Sequence, residues 1–266
     1  MLYINNDIVE IKHFPDKTLL MKVAPVEDTT FTWRFENNEE FLALQMLVMH
    51  FRTHGIKNLK LHMPYIPNAR QDRLKKETDI FTLKYFATLL NNLEFSEVVV
   101  LDAHSNVSLE LINNIKEMPV KPYIEKVMEE LQLNPNRDYI FYPDKGARLR
   151  YSDMLDFPNL YGEKVRDFET GQIKGLDIIG ETPIKGFRAF IIDDISSYGG
   201  TFYHCAKKLK EIGASEIYLY VSHAENSILD GELMKSNLIT KIYTTESIFT
   251  KQHEIINIVK LEKENL

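Results

Sequence analysis

The sequence predicts an α/β protein of two successive halves, each a mostly parallel sheet flanked by helices. Strand-like and helix-like segments alternate along most of the 266 residues, a pattern that favours parallel βαβ layers. The same order starts again after a polar stretch rich in turn-forming residues, 134–138. The 44% content of hydrophobic residues is enough to fill two cores. We therefore expect two domains, 1–137 and 138–266.

In the first half, apolar residues recur at helical spacing in long segments, and short runs rich in Leu or Val separate them. The helical spacing predicts one amphipathic face per helix, and the short runs are typical of buried strands. The predicted helices cover 37–54, 78–93 and 119–133, and the predicted strands cover 59–63 and 96–102.

The second half repeats this order with a longer insertion. Residues 161–186 have the composition of a long hairpin or a mobile loop. A helix begins near Phe202 and ends at Gly213, and residues 251–266 close the fold as a strand or a helix. The predicted strands cover 139–142, 187–192, 216–222 and 239–243.

Charge and cysteine content exclude several classes of function. The net charge of −7 gives no general attraction to nucleic acid or to an anionic membrane, so any phosphate binding has to be local. The single cysteine, Cys205, excludes an internal disulfide and a cysteine-based zinc site, and its place in a helical pattern indicates a packed residue. The N-terminus lacks the pattern of a secretory signal, and no apolar run is long enough to span a bilayer. We expect a cytoplasmic protein, in the host cytoplasm if it is encoded by a phage.

The most informative stretch is a strand that ends in two adjacent carboxylates, Asp193 and Asp194, and leads through glycines into a helix. Glycines let backbone N–H groups turn toward one point, and a helix N-terminus adds positive potential, so the loop is suited to an anion. The two carboxylates can bind sugar hydroxyls or a metal ion beside that anion. For a generic Gly-Gly-Thr turn, the alternative is an ordinary strand-to-helix connection. We call 193–201 the acidic segment; its loop consists of Ser196, Ser197, Tyr198, Gly199, Gly200 and Thr201.

A second segment with binding chemistry, 64–73, directly follows the strand 59–63; we call it the arginine segment. Arg70 offers paired donors that never lose their charge, which suits phosphate. Gln71 can form hydrogen bonds to a nucleotide, and Asp72 can orient the neighbouring arginines. The alternative for such a short charged run is a solvated loop.

Taken in order along the chain, these and four shorter motifs resemble the ribose-phosphate diphosphokinases, also called PRPP synthetases. The resemblance runs from about Phe14 to about Ser247. Each motif is weak by itself, and it is their common order that identifies the chain as a member. The further motifs are His13-Phe14-Pro15-Asp16, Leu101-Asp102-Ala103-His104, Tyr142-Pro143-Asp144-Lys145-Gly146-Ala147 and Glu163-Lys164-Val165-Arg166.

The resemblance implies two tandem phosphoribosyltransferase-type (type I) domains with the active site between them. It implies that ATP is bound by Phe14, Asp16, Arg70, Gln71, Asp72 and His104, with the first two reaching a neighbouring subunit. It implies that His104 and Asp144 hold Mg²⁺, and that Lys164 and Arg166 are catalytic. The ribose and its phosphate would be bound by Asp193 and Asp194 and by the loop residues Ser196, Ser197, Tyr198, Gly199, Gly200 and Thr201.

The implied reaction transfers the β,γ-diphosphoryl group of ATP to the anomeric C1 hydroxyl of ribose 5-phosphate, giving PRPP and AMP. The implied partners are small-molecule substrates and further copies of the chain, in a dimer or a larger homo-oligomer. Nucleic acid and membranes are not expected as partners. No Gly-x-x-x-x-Gly-Lys-Ser/Thr sequence is present, so the chain is not a P-loop kinase.

The sequence departs from the family pattern at the loop of the acidic segment, where Ser197 and Tyr198 replace an Asp and a Thr. A bulky phenol alters the cradle for a terminal 5-phosphate and can stack on a base. The same chemistry with ADP-ribose as acceptor, giving ADP-ribose 1-diphosphate for NAD synthesis as in some phage relatives, is therefore the alternative. Thr18, in place of a Glu, and Ala147, in place of a Gly, are smaller departures. A PRPP-dependent phosphoribosyltransferase and a non-catalytic regulatory homologue are more remote alternatives.

Overall fold

The computed structural model describes residues 1–166, 173–181 and 183–261, and only the backbone of 164–166 and 173–175. The described chain divides into two compact units, Met1–Pro119 and Val120–Leu261. Each unit contains a mostly parallel sheet with helices against it, which confirms the predicted α/β class.

The first unit is built on a sheet whose parallel part carries the predicted strands. Its strands pair in the order β2-β1-β5-β6-β7-β8, with β5 to β8 parallel and β1 antiparallel to both its neighbours. A separate short hairpin joins β3 to β4. The elements are β1 (Leu2–Ile4), β2 (Asp7–Ile8), β3 (Lys12–His13), β4 (Leu19–Leu20), β5 (Thr29–Trp33), α1 (Glu39–Thr53), β6 (Leu59–His62), α2 (Thr82–Asn91), β7 (Glu97–Leu101), α3 (Asn106–Leu111) and β8 (Ile115–Met118).

Helix α2 is shorter than the sequence predicts, because it begins at Thr82 and not at residue 78. The carboxylate of Asp79 accepts hydrogen bonds from the backbone N–H groups of Lys75 and Lys76, each at 2.9 Å. These bonds close a turn in which an Asp side chain competes with helical backbone bonding. The arginine segment therefore continues into a folded loop before the helix starts.

The second unit is a larger sheet with one antiparallel edge. Its strands pair in the order β11-β10-β9-β12-β13-β14-β15, and all the pairs are parallel except that of β10 with β11. The elements are α4 (Lys121–Glu130), β9 (Asp138–Tyr142), α5 (Lys145–Tyr151), β10 (Asn159–Arg166), β11 (Ile173–Ile179), β12 (Arg188–Ser196), α6 (Gly200–Glu211), β13 (Glu216–Ala224), α7 (Glu232–Lys235), β14 (Lys241–Thr245) and β15 (Ile256–Val259). Short 3₁₀ turns cover Ser152–Met154 and Asn226–Asp230.

The unit boundary differs from the predicted division between residues 137 and 138, because α4 belongs to the second unit. The hydroxyl of Tyr243 donates to Glu130 at 2.9 Å, and Arg188 donates to the backbone oxygens of Leu131 and Gln132 at 2.9 Å. Arg188 also holds the buried carboxylate of Asp138. The polar stretch that suggested a linker is therefore a turn fastened inside the second unit.

Strand β12 is longer than the sequence predicts. Its parallel pairing with β13 continues to the pair Ser196–Ala224, whereas the apolar run ends at Ile192. Asp193 and Asp194 consequently lie in the last residues of the strand and not beyond it. Adjacent strand residues point to opposite faces of a sheet, so the two carboxylates have different surroundings.

The predicted hairpin of the second half is present. Strands β10 and β11 pair antiparallel, with Lys164 opposite Leu176 and Arg166 opposite Ile173. The residues that join the two strands, 167–172, lie outside the described residues. None of the helices in the described ranges has the length and apolar character needed to cross a membrane.

Candidate active site

Asp194 of the acidic segment is buried and paired with an arginine. Its Oδ2 lies 2.8 Å from Nη1 of Arg150, which comes from the last turn of α5. Only 4% of Asp194 is exposed, so a charged carboxylate there needs such a partner. The pair fixes the end of β12 against α5.

Asp193 lies among other carboxylates. Its Oδ1 accepts a hydrogen bond of 3.0 Å from the backbone N–H of Asp194. Burial raises the pKa of Asp193 well above its ordinary value, and the negative charges of Asp194 and Asp144 add to that rise. A group that binds here with positive charge, or with hydroxyls that donate hydrogen bonds, would relieve this repulsion.

Asp144 lies at the end of β9 and begins helix α5. Its Oδ1 accepts a hydrogen bond of 3.1 Å from the backbone N–H of Ala147, the arrangement of a helix N-cap. A Cβ on Gly146 would lie 3.1 Å from the same oxygen. The glycine therefore leaves room directly beside the carboxylate. Because β9 and β12 are neighbours in the sheet, Asp144 and the acidic segment lie at the same edge.

The loop after Ser196 turns sharply into α6. Gly199 has φ of +73°, which favours glycine, and its carbonyl accepts from the N–H of Tyr203 in the first helical turn. The N–H groups of Gly200 and Thr201 precede that bond and are available to an anion at the helix N-terminus. Gly200 and Thr201 are both exposed to solvent. Anion binding by this loop stays a prediction.

The same loop is supported from the residues that follow β13. The hydroxyl of Ser197 donates to Oε2 of Glu225 at 2.8 Å, and the N–H of Glu225 donates to the carbonyl of Ser196 at 2.8 Å. A Cβ on Gly231 would lie 1.8 Å from the backbone oxygen of Tyr198, so the two backbones touch there. The phenol of Tyr198 is 62% exposed.

In the first unit, the arginine segment leaves the carboxyl end of β6. Asp72 is buried, and Arg73 donates to both of its oxygens, at 2.8 and 2.9 Å. The carboxylate of Asp72 thus orients Arg73, and the role of Asp72 in ATP binding stays a prediction. Gln71 accepts from the hydroxyl of Thr82 at 2.8 Å, and Arg70 is exposed.

His104 lies near this segment, after the adjacent strand β7. The hydrogen bond from Arg73 lowers the pKa of Asp72 against the opposing effect of burial, and the nearby His104 contributes further lowering. Two features fix the backbone that leads into His104. Asp102 is buried and has a φ of +44°, and the N–H of Ala103 donates to Glu117 at 2.7 Å. The structure thus brings Asp72 and His104 together at one sheet edge.

Phe14 and Asp16 lie in the turn of the β3–β4 hairpin. Phe14 is 49% exposed, which is unusual for an aromatic side chain. Asp16 accepts hydrogen bonds from the hydroxyl and the N–H of Thr18, which lower the pKa of its carboxyl group. The ring of Phe14 is therefore exposed on a turn that the hydrogen bonds between Thr18 and Asp16 stabilise.

The two predicted catalytic residues, Lys164 and Arg166, lie in β10, next to β9 in the sheet. Their side chains lie outside the part of the chain that the structure describes. The backbone places both residues in this strand, whose pairing with β11 shifts register between Val165 and Arg166. Their proposed roles stay predictions.

The residues fit a magnesium ion in their chemistry. The negative charges of Asp194 and Asp144 repel that of Asp193, and oxygen is the ligand that Mg²⁺ prefers. Within the described residues, no three His, Cys, Asp or Glu side chains converge as a complete metal site. Mg²⁺ usually keeps several waters and needs only one or two carboxylates beside substrate phosphates, so a three-residue site is not required.

Sequence reasoning missed Arg150 and Glu225. Arg150 lies on the helix that Asp144 caps, so the helical register after that aspartate was a usable signal. Glu225 has no local signal, because its contact with Ser197 depends on the pairing of β12 with β13.

Comparison with known proteins agrees with the geometry. The chain is 30% identical over 260 residues to a ribose-phosphate pyrophosphokinase of Pyrococcus abyssi, covering 93% of this chain and 86% of that protein. It is 29% identical over 224 residues to a ribose-phosphate pyrophosphokinase of Pyrococcus furiosus, covering 81% of this chain and 77% of that one. No protein-family model matches the chain.

Among solved structures, the fold is similar to that of phosphoribosylpyrophosphate synthetase from Mycobacterium smegmatis. The TM-score is 0.77 at 15% sequence identity, with 95% of this chain and 86% of that chain covered. The predicted fold of tandem phosphoribosyltransferase-type domains is thereby confirmed. Together with the 30% identity over nearly the whole length, these findings show that the chain belongs to the ribose-phosphate pyrophosphokinase family.

Proposed function

We propose that the chain is an ATP-dependent diphosphokinase that acts on the anomeric hydroxyl of ribose 5-phosphate. The products are PRPP and AMP. The observation that carries this proposal is the acidic segment, in which two carboxylates at the end of β12 lead directly into the N-terminus of α6. A carboxylate pair beside an anion loop suits a phosphorylated sugar, since one part binds hydroxyls and the other binds phosphate.

The reaction is a displacement at the β-phosphorus of ATP. The C1 oxygen forms a bond to that phosphorus and loses its proton, while the bond to the oxygen bridging the α- and β-phosphorus breaks. AMP leaves with that oxygen and the bonding electrons. Such a transfer needs positioning and charge neutralisation more than covalent catalysis.

In this proposal, Asp193 and Asp194 hold the ribose diol. The ion pair with Arg150 holds the carboxylate of Asp194 in place. The backbone N–H groups at Gly200 and Thr201 would bind the phosphate on C5. Fixing both ends of the sugar orients the C1 hydroxyl for attack.

On the nucleotide side, Arg70, Gln71 and His104 bind ATP, and Asp72 acts through Arg73. Lys164 and Arg166 neutralise charge on the transferred group. Mg²⁺ would be held by His104 and Asp144, and it would supply charge neutralisation for the phosphates.

Phe14 and Asp16 serve the ATP site of a neighbouring copy, because an exposed aromatic ring at a hairpin turn is suited to an adenine face. The active protein is then a dimer or a larger homo-oligomer. Size-exclusion chromatography with light scattering tests this directly. An active monomer would contradict it.

ADP-ribose is the second candidate acceptor, and the exposed ring of Tyr198 favours it. A phenol at the mouth of the anion loop can stack on the base of an acceptor whose phosphate is substituted. The product would be ADP-ribose 1-diphosphate, an activated form for NAD synthesis.

One assay separates these possibilities. The protein is incubated with ATP and Mg²⁺ and with either ribose 5-phosphate or ADP-ribose, and AMP and product mass are followed by chromatography with mass detection. AMP formed with ribose 5-phosphate supports the proposal, and AMP formed only with ADP-ribose replaces the acceptor. No AMP with either acceptor contradicts diphosphokinase activity and points to a PRPP-consuming transferase or a regulatory homologue.

A further inference from the structure

Glu225 forms hydrogen bonds to the loop of the acidic segment through both its side chain and its backbone. Its Oε2 accepts hydrogen bonds from the hydroxyls of Ser197, at 2.8 Å, and of Ser227, at 3.1 Å. Its N–H donates to the carbonyl of Ser196 at 2.8 Å. Two consecutive loop residues are therefore bound to one glutamate that lies just past the end of β13.

The hydrogen bond from Ser197 has a chemical consequence. A serine hydroxyl carries a single proton, so a hydroxyl that donates to a carboxylate offers only lone pairs to anything else. Phosphate oxygens need donors. In this geometry Ser197 does not act as a donor to a phosphate in the loop, although its position in the sequence suggests that it would.

Glu225 also brings a further negative charge to a segment already rich in carboxylates. Asp193 and Asp194 precede the loop, and Arg150 is already paired with Asp194. A terminal phosphate monoester carries close to two charges at neutral pH, because its second pKa is about 6. A phosphate that is esterified or anhydride-linked at a second oxygen has no such second ionisation, so it meets less repulsion.

The loop has little freedom to move away from Glu225. The backbone of Tyr198 rests on Gly231, and Gly199 is packed against Leu233. These contacts keep the loop beside the carboxylate of Glu225.

We propose that Glu225 is a positioning residue that sets acceptor specificity. By engaging the proton of Ser197 and adding charge beside the loop, it weakens the binding of a terminal phosphate dianion, such as that of ribose 5-phosphate, relative to an acceptor whose C5 phosphate is substituted. This inference rests on the proposed diphosphokinase function and concerns the same acceptor site.

The test compares Glu225→Gln with wild-type protein. The amide oxygen of glutamine still accepts from Ser197 and Ser227, so the change removes charge and keeps the loop in place. We expect the KM for ribose 5-phosphate to fall about tenfold, the order expected for one charge acting over a few ångströms at a protein surface. The KM for ATP and the kcat should change less than about twofold, and the KM for ADP-ribose less than about threefold.

Glu232→Gln is the matched control, because Glu232 is an exposed carboxylate in the same region. It should leave the KM for both acceptors unchanged. Equal changes of both acceptor KM values in Glu225→Gln, or no change in either, would overturn the proposal. Far-UV circular dichroism and thermal unfolding of each variant verify that the fold is retained.

Binding measurements test the role of Glu225 even if the protein has no diphosphokinase activity. If wild-type protein releases no AMP with either acceptor, calorimetric titration with ribose 5-phosphate and with ADP-ribose still compares wild type and Glu225→Gln. A dissociation constant for ribose 5-phosphate that falls about tenfold, with ADP-ribose nearly unchanged, supports the role of Glu225. Unchanged binding of ribose 5-phosphate contradicts it.

Discussion

The guanidinium of Arg150 lies 2.8 Å from the carboxylate of Asp194, joining the end of α5 to the end of β12. Asp194 is almost completely buried, whereas Arg150 keeps about a third of its side chain exposed. The partner that can be removed with least loss of packing is thus the arginine. Its removal would leave a buried charge without this partner.

We expect Arg150→Ala to lower the free energy of unfolding by about 2 kcal/mol, below the usual cost of breaking a buried pair because Arg150 is partly exposed. Urea denaturation followed by far-UV circular dichroism measures the change. Arg137→Ala is the control, since Arg137 is 61% exposed and 3.9 Å from Asp138, and it should cost less than about 1 kcal/mol. An effect of Arg150→Ala no larger than the control would contradict a structural role for the pair.

Gly231 should not accept even an alanine. Its φ of −79° suits any residue, but a Cβ would lie 1.8 Å from the carbonyl oxygen of Tyr198 and 2.7 Å from its carbonyl carbon. We expect Gly231→Ala to lower stability by about 1–3 kcal/mol, the range for overpacking, and to raise the KM for the acceptor. Thermal unfolding and steady-state kinetics measure both effects, with the exposed neighbour Asp230 changed to alanine as the control. Normal acceptor binding in Gly231→Ala would show that the position of Tyr198 is not needed.

Lys164→Ala should lower kcat about 10²–10³-fold, the usual cost of losing one group that stabilises transition-state charge. The far-UV circular dichroism spectrum should remain that of the wild type. Lys251→Ala, at an exposed lysine elsewhere in the second unit, should keep full activity. If turnover survives in Lys164→Ala, the catalytic assignment is wrong, and Arg166→Ala becomes the next variant to measure.

The burial of His62 should make the protein less stable in acid. It is 1% exposed, and both its ring nitrogens are buried without a hydrogen-bond partner. Burial, with a smaller effect of Arg34, lowers its pKa from 6.5 to about 4. The unfolded chain binds a proton below about pH 6.5 and the folded chain only near pH 4, so stability falls as pH falls through this window.

Between pH 7 and pH 5, the contribution of His62 to the free energy of unfolding should fall by about 2 kcal/mol. Trp33, the single tryptophan, lies in the same unit, so urea unfolding followed by its fluorescence is a direct measurement. His62→Leu should remove this part of the pH dependence, and His253→Leu, at an exposed histidine, should keep it. The same pH dependence in His62→Leu and wild type would contradict a neutral buried histidine.

The alternating elements and the family motifs could be read from the sequence because their signals are local. Apolar spacing identified α1, β7 and the strand before the acidic segment, and glycines identified the turn into α6. The same local signals were misleading where side chains form bonds of their own. Asp79 closes a turn where apolar spacing indicated helix, and the turn at 134–138 is fastened by Asp138 and Arg188 where its composition indicated a linker.

The α/β class, the order of its elements and the positions of the acidic and arginine segments follow from local patterns in the sequence. Which side chains meet in these segments depends on the folded chain: Arg150 meets Asp194, 44 residues away, and Ser197 meets Glu225, 28 residues away. The continuation of β12 through both aspartates depends on it too, because the hydrogen bonds that extend the strand come from β13. The physical reason is that propensity and hydrophobic spacing act over a few neighbouring residues, whereas strand pairing and the pairing of buried charges join residues distant in sequence.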